Sequence, residues 1–441
     1  MFALRTLILS LVLTLPSLLP ERALADGAVR IEALSEYAEL RPGETREIHL
    51  GVFVNAEDIR AATRRAPIAV SLVIDISGSM HGEKIANARL AALRFLEALG
   101  ADDQLSLSVF NESVSMLAPM AKLSPARREA LGRAIRSLRP SGGTNLYGGL
   151  ESAIREAARA DAGARRVILI SDGQGNVGPS DAHSLGRLAS DGNERHVQVS
   201  AIGVGVDYDE AALSAIAIRS AGRYTHLRNP SMLAALVESE LSRLSETVAT
   251  EIVIEIRPRP GVIIEPITPG IIRDGDRLRV PIGALHGGQH RELLFRAQLE
   301  RSSAAKETLA EIRLEGKGAD GDRIAKRTSI ETTFRDRARS SREPKVVALI
   351  EEHRAAEAEL RAAEALSRGA VDEARRALDE GASAARSASA AAASPAAKAR
   401  LQQKTADLAR RAERARQPSS SAEVRAIELE TRDSALESYG Y

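Results

Sequence analysis

The residues best placed to do chemistry are Asp75, Ser77 and Ser79, which follow an almost wholly apolar run at residues 68–74. Two later segments answer to them, Gly142-Gly143-Thr144-Asn145 and Ser171-Asp172-Gly173. Asp75, Ser77, Ser79, Thr144 and Asp172 together offer two carboxylates and three hydroxyls, with no His or Cys among them. Hard oxygen donors suit Mg²⁺, Mn²⁺ or Ca²⁺ rather than zinc. The set holds no evident nucleophile, general base or acid. Its chemistry is therefore the holding of a cation and, through it, of a partner.

The segments around these residues supply the means to position them. From 67 to 245 short apolar runs (68–74, 105–110, 167–170, 197–204) alternate with segments of helical periodicity, such as 85–99 and 147–160. Nearly continuous apolar runs are expected of strands buried on both faces of a parallel sheet. The alternation predicts a doubly wound α/β domain, in which ligands bind outside the carboxyl ends of the strands. Asp75 and Asp172 both fall at such ends. Gly78 is expected to let the loop between the two serines turn tightly.

Asp-x-Ser-x-Ser after the first apolar strand, a Thr after Gly-Gly and an Asp-Gly after a later strand resemble the von Willebrand factor type A domain and its metal-ion-dependent adhesion site. The resemblance covers residues 67–245, and all five motif positions are filled. It implies that Ser77 and Ser79 contact the metal directly and that Asp75 and Asp172 act largely through water. Thr144 would contact the metal or withdraw. A sixth position would remain for a carboxylate of a partner protein. It further implies that the last helix, near 230–244, can shift and pass its movement to the sandwich beginning near Val248. With its flanking segments the chain is similar to secreted bacterial type A proteins.

Those flanks are of two kinds. Residues 246–336 switch to a period of two, with Ile252, Ile254 and Ile256 alternating with Val253, Glu255 and Arg257. Gly-containing turns separate the strands, which predicts an antiparallel β-sandwich. The strands expected within 26–66 could complete it, making the α/β domain an insertion. Residues 343–416 are rich in Ala, Glu and Arg and read as about three helices, and 417–441 as a flexible tail. Residues 1–25 read as a signal peptide: a charged start, an apolar core and Ala23-Leu24-Ala25 before the cleavage point. An uncleaved anchor is the alternative. Export to the periplasm or cell surface is the expectation.

Composition narrows the function further. The 61 basic and 60 acidic residues nearly cancel, which gives no electrostatic case for nucleic acid. Cys is absent, so no disulfide can stabilise an exported chain, and sizeable cores must do so. His286 and His290 flank a Gly-Gly turn rather than a helix face, and Gly203-Val204-Gly205 lacks the rest of a dinucleotide loop. There is no His-Glu-x-x-His, no Walker loop and no Gly-x-Ser-x-Gly. Asn111 and Asn176 read as turn formers near the metal face. The reading is of a metal-dependent protein-binding module and not an enzyme. Two other readings remain: a regulatory or assembly subunit of an ATPase- or channel-linked membrane complex, and a metal-dependent enzyme with His81 near the metal.

Overall fold

Strand β4 (Ile68–Asp75) is buried along its whole length. Its one polar side chain before Asp75, Ser71, accepts a hydrogen bond from Ser106 at 2.7 Å, so the sheet interior carries no cost from it. The computed structural model describes residues 27–42, 46–57, 67–172, 175–205, 208–299, 306–338, 341–418 and 420–441. The signal segment expected at 1–25 lies outside them, as does Gly173.

Five strands extend β4 into one sheet: β5 (Gln104–Phe110), β6 (Val114–Lys122), β7 (Ala164–Ser171), β8 (Val197–Val204) and β9 (Arg223–Leu227). The order is β6-β5-β4-β7-β8-β9, all parallel except the antiparallel edge strand β6. Helices α1 (Glu83–Ala98), α2 (Pro125–Ser137) and α6 (Leu233–Ser245) cover one face, through Phe95, Ile135 and Val237 among others. Helices α3 (Leu146–Ala158), α4 (Ala182–Glu194) and α5 (Glu210–Arg219) cover the other, through Leu150, Leu185 and Leu213. The chain winds outward from β4 in one direction and then from β7 in the other. The β4–β7 boundary is therefore the topological switch point, where such sheets open a crevice.

The sandwich has two sheets. One runs β1 (Val29–Ser35), β3 (Arg46–Ala56), β14 (His290–Leu299), β11 (Val262–Pro266). The other runs β12 (Ile272–Asp274), β13 (Arg277–His286), β10 (Thr247–Pro258), β15 (Lys306–Gly318), β16 (Arg323–Phe334), β2 (Glu39–Leu40). Strand β3 pairs with β14 from Arg46 opposite Leu299 to Asn55 opposite His290. Strands on both sides of the α/β domain thus share one sheet, and that domain is an insertion. Ile48, Leu50, Val52, Ile252, Ile254 and Ile256 point into the common core.

Gln198, near the start of β8, joins the two domains. Its Nε2 donates to the carbonyls of Ala221 at 2.6 Å and Ile282 at 3.0 Å, and its Oε1 accepts from Ala284 N at 3.0 Å. Gly222 lets β9 start close against β8. A Cβ there would stand 2.0 Å from the Val199 carbonyl oxygen and 2.6 Å from its carbon, both main chain.

Helices α7 (Pro344–Ser367), α8 (Val371–Ala391) and α9 (Pro395–Arg416) pack through alanines. Glu359 is fully buried and meets Lys404 Nζ at 2.5 Å and Arg411 Nη1 at 3.2 Å, so one helix supplies a carboxylate to two cations of another. Among the described residues no helix is long and apolar enough to cross a membrane.

The flexible tail expected at 417–441 is instead a helix, α10 (Ser421–Ser438). Ser420 caps it by accepting from Glu423 N at 3.2 Å. Leu429 and Leu436 join the core on the α5 side of the sheet, alongside Leu213 and Tyr439. Arg425 donates to the Tyr208 carbonyl at 3.0 Å, and Tyr441 Oη donates to the Pro269 carbonyl at 2.8 Å. The segment is ordered because its apolar residues recur at helical spacing and find a face to bury against.

Two stability changes are expected. Gly222→Ala should cost about 1–3 kcal/mol, because main chain must move to admit the methyl group; an unchanged denaturation midpoint would contradict the close approach. Glu359→Ala should cost about 3–5 kcal/mol, since Lys404 and Arg411, both mostly out of water, would lose their carboxylate. Chemical denaturation of both variants reads these values.

Candidate functional site

Asp75 ends β4 and Asp172 directly follows β7. The parallel register puts Ile74 opposite Ile170, so both carboxylates emerge at the same end of the sheet. Backbone hydrogen bonds then tie the surrounding loops together. Ile76 N donates to the Phe110 carbonyl at 2.8 Å, Ser141 N to the Ile76 carbonyl at 2.8 Å, and Gly78 N to the Gly142 carbonyl at 3.0 Å.

Within this frame four of the five predicted residues form one hydrogen-bonded chain. Asp75 Oδ1 accepts from Ser77 N at 2.7 Å. Ser77 Oγ and Ser79 Oγ lie 3.1 Å apart. Ser79 Oγ donates to Asp172 Oδ1 at 2.9 Å. Thr144, buried, joins through its loop, whose Gly142 carbonyl receives Gly78 N. Burial pushes the Asp75 carboxyl up, hydrogen bonds from Ser171 and Ser77 oppose this, and the neighbouring Asp172 charge adds to the rise.

Three residues at the site were not read from the sequence in these roles. Lys84 on α1 ion-pairs with Asp172 Oδ2. Ser171 Oγ donates to Asp75 Oδ2 at 2.6 Å. Asn176, read as a turn former, clasps Thr144: its Oδ1 accepts from Thr144 N at 2.7 Å and its own N donates to the Thr144 carbonyl at 3.0 Å. Lys84 could have been suspected from its place in the first turn of the helix after the serines. The Asn176 contact depends on tertiary approach and had no local signal. Asn111 is a turn former, its Oδ1 accepting from Ser113 N at 3.0 Å.

Gly78 does not play its expected part. A Cβ there would come no closer than 3.4 Å to the Gly142 oxygen, an ordinary contact. The left-handed position is Gly82, with φ of 73°, which turns the chain into α1. His81 is exposed, with Nδ1 2.6 Å from the Gly78 carbonyl. His290 Nδ1 lies 2.5 Å from Asn55 Oδ1, and His286 Nδ1 lies 3.2 Å from the Gly287 carbonyl.

The donor set fits a hard divalent cation. Asp75 and Asp172 are buried and the charge of Asp172 weighs on Asp75, and the Ser77 and Ser79 hydroxyls lie on the chain that joins them. Among the described residues no three His, Cys, Asp or Glu groups are gathered at a metal's distance. A cation here would rely on Ser77, Ser79 and Thr144 as well as on the two acids.

Known proteins share this architecture. A family model described as von Willebrand factor type A domain matches residues 68–226. An uncharacterised protein of Synechocystis sp. is 26% identical over 286 residues, 62% of this chain and 66% of that protein. The human inter-alpha-trypsin inhibitor heavy chain H4 is 26% identical over 241 residues, 52% of this chain and 25% of that one. The chain thus spans less than two thirds of these relatives' own length. A solved von Willebrand factor type A protein from Catenulispora acidiphila superposes with a TM-score of 0.75 at 18% identity, covering 94% of this chain and 98% of its own. Residues 68–226 of this chain are a von Willebrand factor type A domain, carried as an insertion in a β-sandwich.

Proposed function

We propose that this chain is an exported protein-binding module of the periplasm or cell surface, whose type A domain grips a partner's acidic side chain through a divalent cation. The observation that carries this reading is the hydrogen-bonded chain from Asp75 through Ser77 and Ser79 to Asp172, at the carboxyl ends of β4 and β7. Ser77, Ser79 and Thr144 would give Mg²⁺, or Mn²⁺ or Ca²⁺, neutral oxygens, and Asp75 and Asp172 would supply the charge. The bound ion would supply an electrophilic position for a carboxylate from outside.

The protein's own groups prepare this. Asn176 fixes the main chain on both sides of Thr144, so the hydroxyl is offered from a set place. Ser171 and the Ser77 amide hold Asp75 by separate oxygens. Lys84 neutralises Asp172 and must give up that contact, at least in part, for the carboxylate to serve a cation.

Thr144→Ala and Asp172→Ala should each abolish Mg²⁺-dependent capture of an envelope partner while leaving the melting temperature in EDTA within a few degrees of wild type. Retention of the same partner by either variant, or equal capture in Mg²⁺ and EDTA, would refute the reading. Lys84→Met should strengthen Mg²⁺ or Mn²⁺ binding in calorimetry by roughly tenfold or more, the equivalent of one charge-assisted hydrogen bond that no longer competes. Weaker or unchanged metal binding in that variant would show that Lys84 does not oppose the cation.

A further inference from the structure

The opposite end of the same sheet is basic. Arg166 and Arg223 lie near the amino ends of β7 and β9, where the type A domain meets the sandwich. With Arg243 on α6 and Arg291 on β14 they line a recess of about 30 Å³. The recess shares Arg223, Arg243, Arg291 and His286 with a cleft of about 1000 Å³ bounded by the type A domain, the sandwich and the C-terminal helices.

The recess is lined by four arginines and one carboxylate. Glu240 is buried, accepts from Ser200 Oγ at 2.7 Å, and stands 3.0 Å from Arg243 and 3.5 Å from Arg223. Burial works against its ionisation, but Arg166 and Arg223 prevail and hold its pKa below the ordinary value. That carboxylate is already shared. Arg166 is 9% exposed, its Nε has no hydrogen-bond partner, and among the described residues no carboxylate pairs with it. Arg291 is 5% exposed; its Nη1 donates to the carbonyls of Tyr439 and Gly440, and its Nε is unpartnered. Burial pulls Arg166 down to about 10 against the pull of Glu240, with the other arginines adding to the fall, so it stays charged at neutral pH. Asp433 lines the adjoining cleft, but burial pushes it up to about 7, so it is only partly charged there.

Buried guanidinium groups whose charge is only partly met are costly, and an anion of matching charge removes the cost. The recess has room for about two water-sized groups. That suffices for oxygens of a tetrahedral anion whose other atoms reach into the cleft. Four guanidinium groups against one carboxylate favour a dianion over a single carboxylate, and the planar fork of Arg suits its oxygens. We propose that this recess binds a phosphate group, either free or at the end of a small phosphomonoester whose body lies in the cleft. This site is independent of the cation site.

Calorimetric titration of the chain with inorganic phosphate and with glycerol 3-phosphate tests this, in EDTA so that no divalent ion contributes. Sodium acetate at matched ionic strength is the comparison. Saturable binding of phosphate is expected, with a rise in melting temperature. Arg166→Met and Arg223→Gln should each weaken it at least tenfold and remove that rise. Tighter binding of glycerol 3-phosphate would assign the site to monoesters, and tighter binding of inorganic phosphate to the free ion. No saturable binding of either, unchanged binding in both variants, or acetate bound as tightly as phosphate would overturn the proposal.

Discussion

Strands β4 and β7 run side by side in parallel, with Ile74 opposite Ile170, at the point where the chain reverses its direction of winding. Parallel pairing aligns carboxyl ends, so the residues that leave these two strands leave together. Two carboxylates more than ninety positions apart in sequence are thereby held at one site without either strand having to bend. The apolar content of β4 holds the arrangement in place. A slip of one residue would turn every side chain of β4 to the opposite face and spoil its packing against the helices on both sides. The loops after β5 and before α3 are then hung on the segment that leaves β4 by main-chain hydrogen bonds, and Asn176 and Val177 tie on through the Thr144 carbonyl.

The sheet also sorts charge. Acids gather at its carboxyl ends and arginines at its amino ends, and at both places the side chains are largely out of water. Such groups are tolerated only where hydrogen bonds or opposite charges replace hydration. The protein does this fully at Glu359, which meets both Lys404 and Arg411. At Arg166 and Arg291 it does so incompletely, leaving each Nε without a partner.

Much of the fold was legible because burial leaves a simple trace. The run 68–74 and the period of two in 252–256 each read directly as strand, and the order of segments implied the inserted domain. Strand β6 escaped notice because it is an edge: Met116 and Leu117 are exposed, and Pro119 interrupts the pattern where a central strand would not allow it. Strand β9 is short and mostly polar. Helix α10 was missed because Pro418 and a run of serines suggested flexibility, although Ser420 with Glu423 three residues later has the form of a helix start. At the site the spacing pointed to five oxygen-bearing residues, and four of them are joined by hydrogen bonds. The contacts of Asn176 with Thr144 and of Ser171 with Asp75 arise from loops meeting in space, which spacing along one segment cannot reveal. Gly78 was given a tight turn that the backbone makes at Gly82 instead, a difference only the backbone angle reveals.

Strand β3 finds its partner β14 far along the chain; Asn55 and His290, which face each other across the pair, are 235 residues apart. An unfolded loop of that length is entropically costly to close, and such distant pairings form slowly. The inserted domain shortens the search. Once it has folded, its two ends are held as neighbours, and the sandwich strands on either side are delivered together. A growing chain would thus present β1 and β3 early, with unsatisfied edges, until synthesis passes residue 299. The intact type A domain acts as the clamp that makes completion of the sandwich a local event.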